Sequence, residues 1–437
     1  MEHCSRWLIA AFGSITLAAA LALLALGSPP SGSVLAQGNT IYVDADATGG
    51  NDGTSWQDAY TTLQPALEEA ALSDEIWVAA GTYTPTHEFS PGDPRSATFQ
   101  LKNGVALYGG FDPCVGDTGW EDRDWVINII ILSGDIGVVG DAGDNSYHVF
   151  YHPLELTLDG SAVLDGFTVS GGNADGGAWP NYLGGGMANW YSSSPTVSNC
   201  TFSDNSAHYG GGMENAGSPT VTNCTFSNNS ATSIGGGMHN SGSSPVVANC
   251  TFSDNSASDG GGMYNEWASP VVTNCTFSGN SAAYDGGGMR NAGSSPVVTN
   301  CTFSGNSAGY NGGGMYNEVA SPVVTNCILW GDGPQEIWNQ NSQPSVTYSD
   351  IQGGSSGTGN IDDDPLFVDS GSGDYHLGPG SPCLDAGTND APNLPEFDFE
   401  GNPRVMDGDR NGTAVVDMGV DEAFWHVVYL PLIFRGY

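Results

Sequence analysis

Basic residues are scarce in this chain. Of 437 residues, eight are Lys or Arg against 48 Asp or Glu, and the formal net charge is −40. A surface this acidic repels phosphodiester backbones and anionic bilayers, which argues against nucleic acid and membrane surfaces as partners. It suits cations, chiefly calcium outside the cell, and it keeps an edge-bearing β structure soluble. Long apolar runs are equally scarce. The one such run, Leu8 to Leu26, follows Arg6 and precedes small residues ending Val34-Leu35-Ala36. It reads as a signal peptide over residues 1–36, which predicts a secreted or cell-surface protein. No other stretch could span a membrane as a helix. The nine cysteines lack the short convergent spacings of a zinc site, and six of them recur at one repeat position, which argues against a disulfide framework.

What the chain does have is a repeat. Blocks of the form GGGMxNxxSSPxVxNCTFSxNSA begin at Gly184, Gly210, Gly235, Gly260, Gly286 and Gly312, a period of 25 or 26 residues. A unit this short cannot bury its own apolar face and must stack on its neighbours. In the block at Gly260, strands are expected over residues 262–265, 271–273 and 275–277, with a bend at Asn274 and a turn over residues 278–281. Three strands per coil of this length predict an all-β right-handed parallel β-helix. Met263, Val272, Cys275 and Phe277 are expected to point inward, each about 4.8 Å from its counterpart in the next coil. Cβ atoms at that spacing do not favour disulfides, so the Cys200, Cys224, Cys250, Cys275, Cys301 and Cys327 column is expected to hold free thiols. The asparagines before these cysteines, from Asn199 to Asn326, are expected to form a buried amide ladder, so the Asn-Cys-Thr glycosylation pattern is read as structural.

Ahead of the blocks, Leu63, Ala66, Leu67 and Ala70 recur at helical spacing and predict a short helix capping the open end of the core. Segments at residues 40–44, 75–79, 97–101, 105–108, 126–132, 148–151 and 162–169 read as strands of irregular coils. The expected organisation is a signal peptide (1–36), cap and irregular coils (37–182), regular coils (183–339), a C-terminal region of strands and loops (340–422) and a tail (423–437).

The pairing of GGGM with Phe-x-x-Asn, as in Phe202-Ser203-Asp204-Asn205, resembles the repeats of the polymorphic outer membrane proteins, which are right-handed β-helices of the pectin-lyase-like superfamily. The run IYVDADATGGNDGTSWQDAYTTLQPAL, with GTYTPT and LDGFTVSGG, resembles secreted bacterial β-helix proteins. DDDPLFVDSGSGDYHLGPGSPCLDAGTND, with GNPR and VVDMGVDE, resembles the choice-of-anchor Q region of such proteins, and VVYLPLIFRGY a terminal motif of secreted chloroflexi-type proteins. These resemblances imply fold and secretion.

Many members of that superfamily cleave acidic polysaccharides. A lyase of this kind needs calcium held by carboxylates, with an Arg or Lys base beside them. Arg290 and Arg123 are the arginines to examine for such a cluster. The Gly-His-Gly and Arg-Ile-Lys patterns of the superfamily's hydrolases do not occur. Binding is the competing function. Tyr264 and Tyr316 follow the block methionines, Trp267 lies close by, and Tyr209, Tyr284 and Tyr310 mark the corners. Aromatic rings on a flat β surface stack on sugars. Asp407, Asp409, Asn411, Thr413 and Asp417 follow the first half of a calcium loop, with the closing acid one place early. The expectation is an adhesion or polysaccharide-binding protein without catalysis. The alternatives are a calcium-dependent polysaccharide lyase or glycoside hydrolase, and a structural surface spacer.

Overall fold

The computed structural model describes residues 38–408 and 410–423. The expected signal peptide, Asp409 and the tail from residue 424 on lie outside the described residues. Two compact units divide at Pro245 and Val246. Each is a stack of parallel coils, and the chain folds as a right-handed parallel β-helix. Among the described residues no helix is long and apolar enough to cross a membrane.

In the N-terminal unit one sheet runs from Thr40–Val43 through Glu75–Ala79, Ala106–Phe111, Val163–Asp165 and Thr196–Ser198 to Thr220–Thr222, every neighbour parallel, with one register shift between Trp77 and Ala79 against the third strand. The helix Leu63–Glu69 buries Leu63, Ala66 and Leu67 against the first two of these strands. This is the expected cap. The expected strand over residues 126–132 starts only at Ile130. Asp124 explains the delay, because its carboxylate accepts the amides of Val126 and Ile127 and closes a turn there.

The C-terminal unit shows the regular coil most clearly. Val271–Thr273, Thr276–Ser278 and Met263–Glu266 are the three expected strands. Where a turn was expected, Ser281–Ala282 forms a fourth short strand, paired with Ser256–Ala257 and Ser307–Ala308. Coils continue past the last block, through Ser345–Thr347 and Asp350–Ile351, beyond the expected boundary at residue 339. The glycine triplet is required by close stacking. Gly286 has φ +70°, and a Cβ on Gly287 would sit 2.4 Å from the carbonyl oxygen of Ser307 in the next coil.

Met263, Val272, Cys275 and Phe277 all point inward and are fully buried. Phe252, Phe277 and Phe303 stack in parallel with centroids 4.8 and 4.5 Å apart. The six block cysteines are buried and free. Each thiol donates to the carbonyl two residues earlier, as Cys275 does to Thr273 at 3.2 Å, and burial pushes the Cys275 thiol well above its ordinary pKa.

The asparagine before each cysteine behaves differently from expectation. Its φ is positive, +54° at Asn223 and +49° at Asn274, which turns the side chain out of the core. The amide ladder does form, with Asn223 Nδ2 donating to Asn199 Oδ1 at 3.2 Å. In the N-terminal unit it lies on the outside, and Asn223 is exposed. Burial therefore does not shield the glycosylation pattern there. In the C-terminal unit the same column is covered by the C-terminal region: Asn274 donates to the Phe397 carbonyl, Asn300 to that of Asp417 and Asn326 to that of Thr388.

The core amide ladders are two other columns. Asn189, Asn215 and Asn240 follow the block methionines and are fully buried. Asn189 donates to Asn215 at 2.9 Å and Asn215 to Asn240 at 3.0 Å. His152 heads this column, giving Nδ1–H to Asn189 Oδ1 at 2.7 Å and accepting the Leu101 amide on Nε2 at 3.2 Å. In the C-terminal unit Asn255, Asn280 and Asn306 form the second column, which ends on Asp332.

Candidate functional site

The C-terminal unit carries a groove of about 1050 Å³. One wall is the outer face of the phenylalanine-bearing sheet. Strand alternation puts Phe277 inside and Thr276 and Ser278 outside. Register then aligns Thr251 with Thr276, and Ser253 with Ser278 and Ser304. The wall is thus two columns of hydroxyls repeating once per coil. The opposite wall comes from the C-terminal region, with Tyr375, His376, Phe399, Glu400 and Asp421. The Tyr375 hydroxyl meets Ser278 and Ser304.

The C-terminal region is seated there for a legible reason. In the sixth block Cys-Thr-Phe becomes Cys327-Ile328-Leu329, so the outward threonine is replaced by isoleucine. Ile328 is fully buried in a cluster with Leu377, Cys383 and Met418. Arg404 adds a polar anchor. Its guanidinium is almost fully buried and donates to Asn274 Oδ1 at 2.8 Å, to the Gly419 carbonyl at 2.7 Å and to the Asp421 carbonyl at 2.8 Å.

The groove carries mostly negative charge. His376 is the exception. Burial alone would lower its pKa, but hydrogen bonds to Asp374 and Glu400 outweigh that and push it up to about 9, so the ring is an imidazolium at neutral pH. Nδ1 contacts Asp374 at 2.5 Å and Nε2 contacts Glu400 at 3.0 Å.

None of the six aromatic residues singled out in the sequence lines this groove. Tyr264 and Tyr316 do point outward, yet they are only 7% and 3% exposed. The reason is Arg290, which lies between them in register. Its guanidinium sits 5.3 Å from the Tyr264 centroid and 5.0 Å from that of Tyr316, and burial pushes the Tyr264 hydroxyl up to about 12. Neither ring leaves a face open for a sugar to stack on. Trp267, Tyr284 and Tyr310 are accessible, at 73%, 49% and 64%. Trp267 lies flat over Gly293, where a Cβ would come within 2.5 Å of its ring, so the other face of the indole is open. Tyr284 and Tyr310 stack on each other, centroids 5.8 Å apart and 5° from parallel. Tyr209, in the N-terminal unit, is half-buried against His208 beside a smaller depression of about 590 Å³.

Both arginines proposed for scrutiny contact carboxylates. Arg290 pairs with Asp259 and with Glu318, the latter at 2.9 Å. Burial opposes its charge, but Tyr264, Asp259 and Glu318 more than compensate, and the guanidinium is held above its ordinary pKa. It is a fixed cation rather than a proton acceptor. Arg123 pairs with Asp165 and lies over Trp125 at 4.8 Å, where it ties down the neighbouring loop.

The calcium-loop residues fall in two environments. Asp407, Asn411 and Thr413 are exposed, with Asp407 accepting the Gly412 amide and Asn411 that of Thr413. Asp417 is buried and accepts the amides of Asp385 and Ala423, and burial pushes its pKa up to about 7. Its Oδ1 lies 3.5 Å from where a Cβ on Gly408 would stand, so it flanks the loop from beneath and is not part of the rim.

A family model described as right handed beta helix region matches residues 156–289. This agrees with the observed coils. No curated protein matches the chain. Among solved structures, a pectate lyase is 15% identical, with 89% of this chain and 98% of that chain covered and a TM-score of 0.49. A rhamnogalacturonan lyase is 15% identical over 76% of this chain and 91% of that one, with a TM-score of 0.38. A pectin methylesterase from Aspergillus niger is 15% identical over 76% and 94%, with a TM-score of 0.34. Likeness at this level assigns no residue a role here.

Proposed function

We propose that the protein is a secreted or cell-surface β-helix protein that binds a polysaccharide without cleaving it. The groove of the C-terminal unit carries this reading. Its hydroxyl columns repeat with the coil, about every 4.8 Å, which is close to the length of one sugar residue, and Tyr375 and Phe399 supply apolar surface opposite. Such a lining offers donors and acceptors to a polymer of hydroxyls. Asp254, Asp374, Glu400 and Asp421 face His376 alone among the groove's charged groups, so a neutral glycan fits better, and an acidic one would need a bridging cation. Trp267 is a second, separate contact platform. A screen of neutral and acidic polysaccharides, with and without calcium, tests the reading. Saturable binding weakened by Ser253→Trp supports it; no binding to any polymer refutes it and leaves a structural spacer.

A second reading, a lyase, draws on the contact of Arg290 with Asp259 and Glu318. It requires a different base, because that guanidinium is held protonated. Appearance of unsaturated oligosaccharides from an acidic polymer would establish it, and no such product from any acidic polymer would refute it.

A further inference from the structure

The same groove wall holds a cluster with a distinct chemistry. We propose that Nε2 of His376, Oε1 of Glu400 and Oδ1 of Asp421 form a three-ligand site for a divalent transition-metal ion such as zinc, open towards the groove. The three ligand atoms lie within 4.8 Å of one another, with Nε2 at 3.0 Å from Glu400 and 4.0 Å from Asp421. Zinc bonds to nitrogen and carboxylate oxygen are about 2.0–2.2 Å, so tetrahedral donors stand roughly 3.3–3.6 Å apart. Small side-chain adjustments bring the three to that spacing.

Two further observations point to an ion. First, Asp374 Oδ1 contacts His376 Nδ1 at 2.5 Å. With Nδ1 held by a carboxylate, Nε2 is the ring atom that a metal ion can take in exchange for its proton, which is the orienting arrangement of metal-bound histidines. Nε2 faces two carboxylates, Glu400 at 3.0 Å and Asp421 at 4.0 Å, so the position holds a positive charge, as a proton or as a metal ion. Second, the Asp421 side chain is only 8% exposed. Its Oδ2 accepts the Leu377 amide at 3.2 Å. Its Oδ1 has no hydrogen-bond partner among the described residues and is aimed at Nε2. Asp421 lines the groove, so an ion there can reach this oxygen. An imidazole among three donors selects a borderline transition ion over calcium, which takes six or more oxygens. Glu400 and His376 are half-exposed, so the remaining coordination positions open onto the groove.

The experiment is a calorimetric titration of the whole protein with zinc, without polysaccharide, so that its outcome is independent of glycan binding. We expect one site with a dissociation constant in the micromolar range or tighter, weakened at least tenfold in Glu400→Gln and in His376→Asn. Cobalt in place of zinc should give visible absorption of a low-coordinate site, and no thiolate charge-transfer band. Calcium at tenfold excess should not displace it. Both substitutions lie on partly exposed side chains, and circular dichroism checks that the variants fold. The proposal is overturned if zinc shows no saturable binding, if both variants bind as tightly as the unaltered protein, or if the cobalt spectrum reports thiolates.

Discussion

Asn215 and Asn223 stand in the same unit and join the same kind of amide ladder, one inside the core and one on the surface. Replacing Asn215 by Ala takes the acceptor from Asn189 Nδ2 and the donor from Asn240 Oδ1, bonds of 2.9 and 3.0 Å. Each buried group so abandoned costs about 1–3 kcal/mol, which predicts a loss of roughly 2–6 kcal/mol. Asn223→Gly removes a bond of 3.2 Å between groups that water can reach. Glycine also accepts the positive φ of +54° at that position. The expected change there is under about 1 kcal/mol. For a unit of this size, 1 kcal/mol shifts the melting temperature by about 2–4 °C. Asn215→Ala should therefore lower it by roughly 4–24 °C and Asn223→Gly by no more than about 4 °C. Thermal unfolding by circular dichroism, with hydrogen exchange to localise the loss, reads both. Equal shifts in the two variants would refute the argument that burial, not the bond itself, sets the worth of each ladder.

Further outcomes follow from other buried groups. His148 and His152 are fully buried, and desolvation lowers both pKa values to about 4 from 6.5. Because the folded value is the lower one, their contribution is present above pH 6.5 and is lost as pH falls towards 4, at about 3 kcal/mol each. Stability of the N-terminal unit measured against pH should fall through that window, and His152→Gln should flatten the fall; a curve unchanged by the substitution would count against it. Arg404→Met leaves Asn274 Oδ1 and two carbonyls without their donors and should cost about 3–5 kcal/mol. Limited proteolysis should then cut between residues 382 and 422, whereas intact protection there would contradict the anchoring role. The six ladder cysteines should resist thiol reagents in the native protein and react on denaturation. With Cys383, which is also free, at least seven thiols should react in denaturant, and fewer than that would count against a reduced column.

The core columns were readable because Met, Val, Cys and Phe recur at a fixed period and strand alternation sends them inward. The same alternation could have placed Asn189 and Asn215 inside, since each lies two residues after an inward methionine. The asparagine preceding each cysteine is the more conspicuous one and masks this signal. Asn199 and its successors were placed on the wrong side because the bend rotates them out by its positive φ, which a linear pattern does not display. Tyr264 and Tyr316 point outward but are covered. Neighbouring coils stand so close that Arg290 fills the space between their rings. The groove was not legible at all. Tyr375, His376, Glu400 and Asp421 come from a region without period, and only the change from Thr to Ile328 hints that something covers that face.

The central claim is that the groove holds a polysaccharide, and its most direct measurement is the affinity of the unaltered protein and of Ser253→Trp for the best polymer from a glycan screen. Ser253 lines the groove on the sheet side, so a tryptophan there fills it while leaving Trp267 and the corner tyrosines untouched. The account predicts saturable binding that falls at least tenfold in Ser253→Trp. Binding of equal strength in both proteins would contradict it.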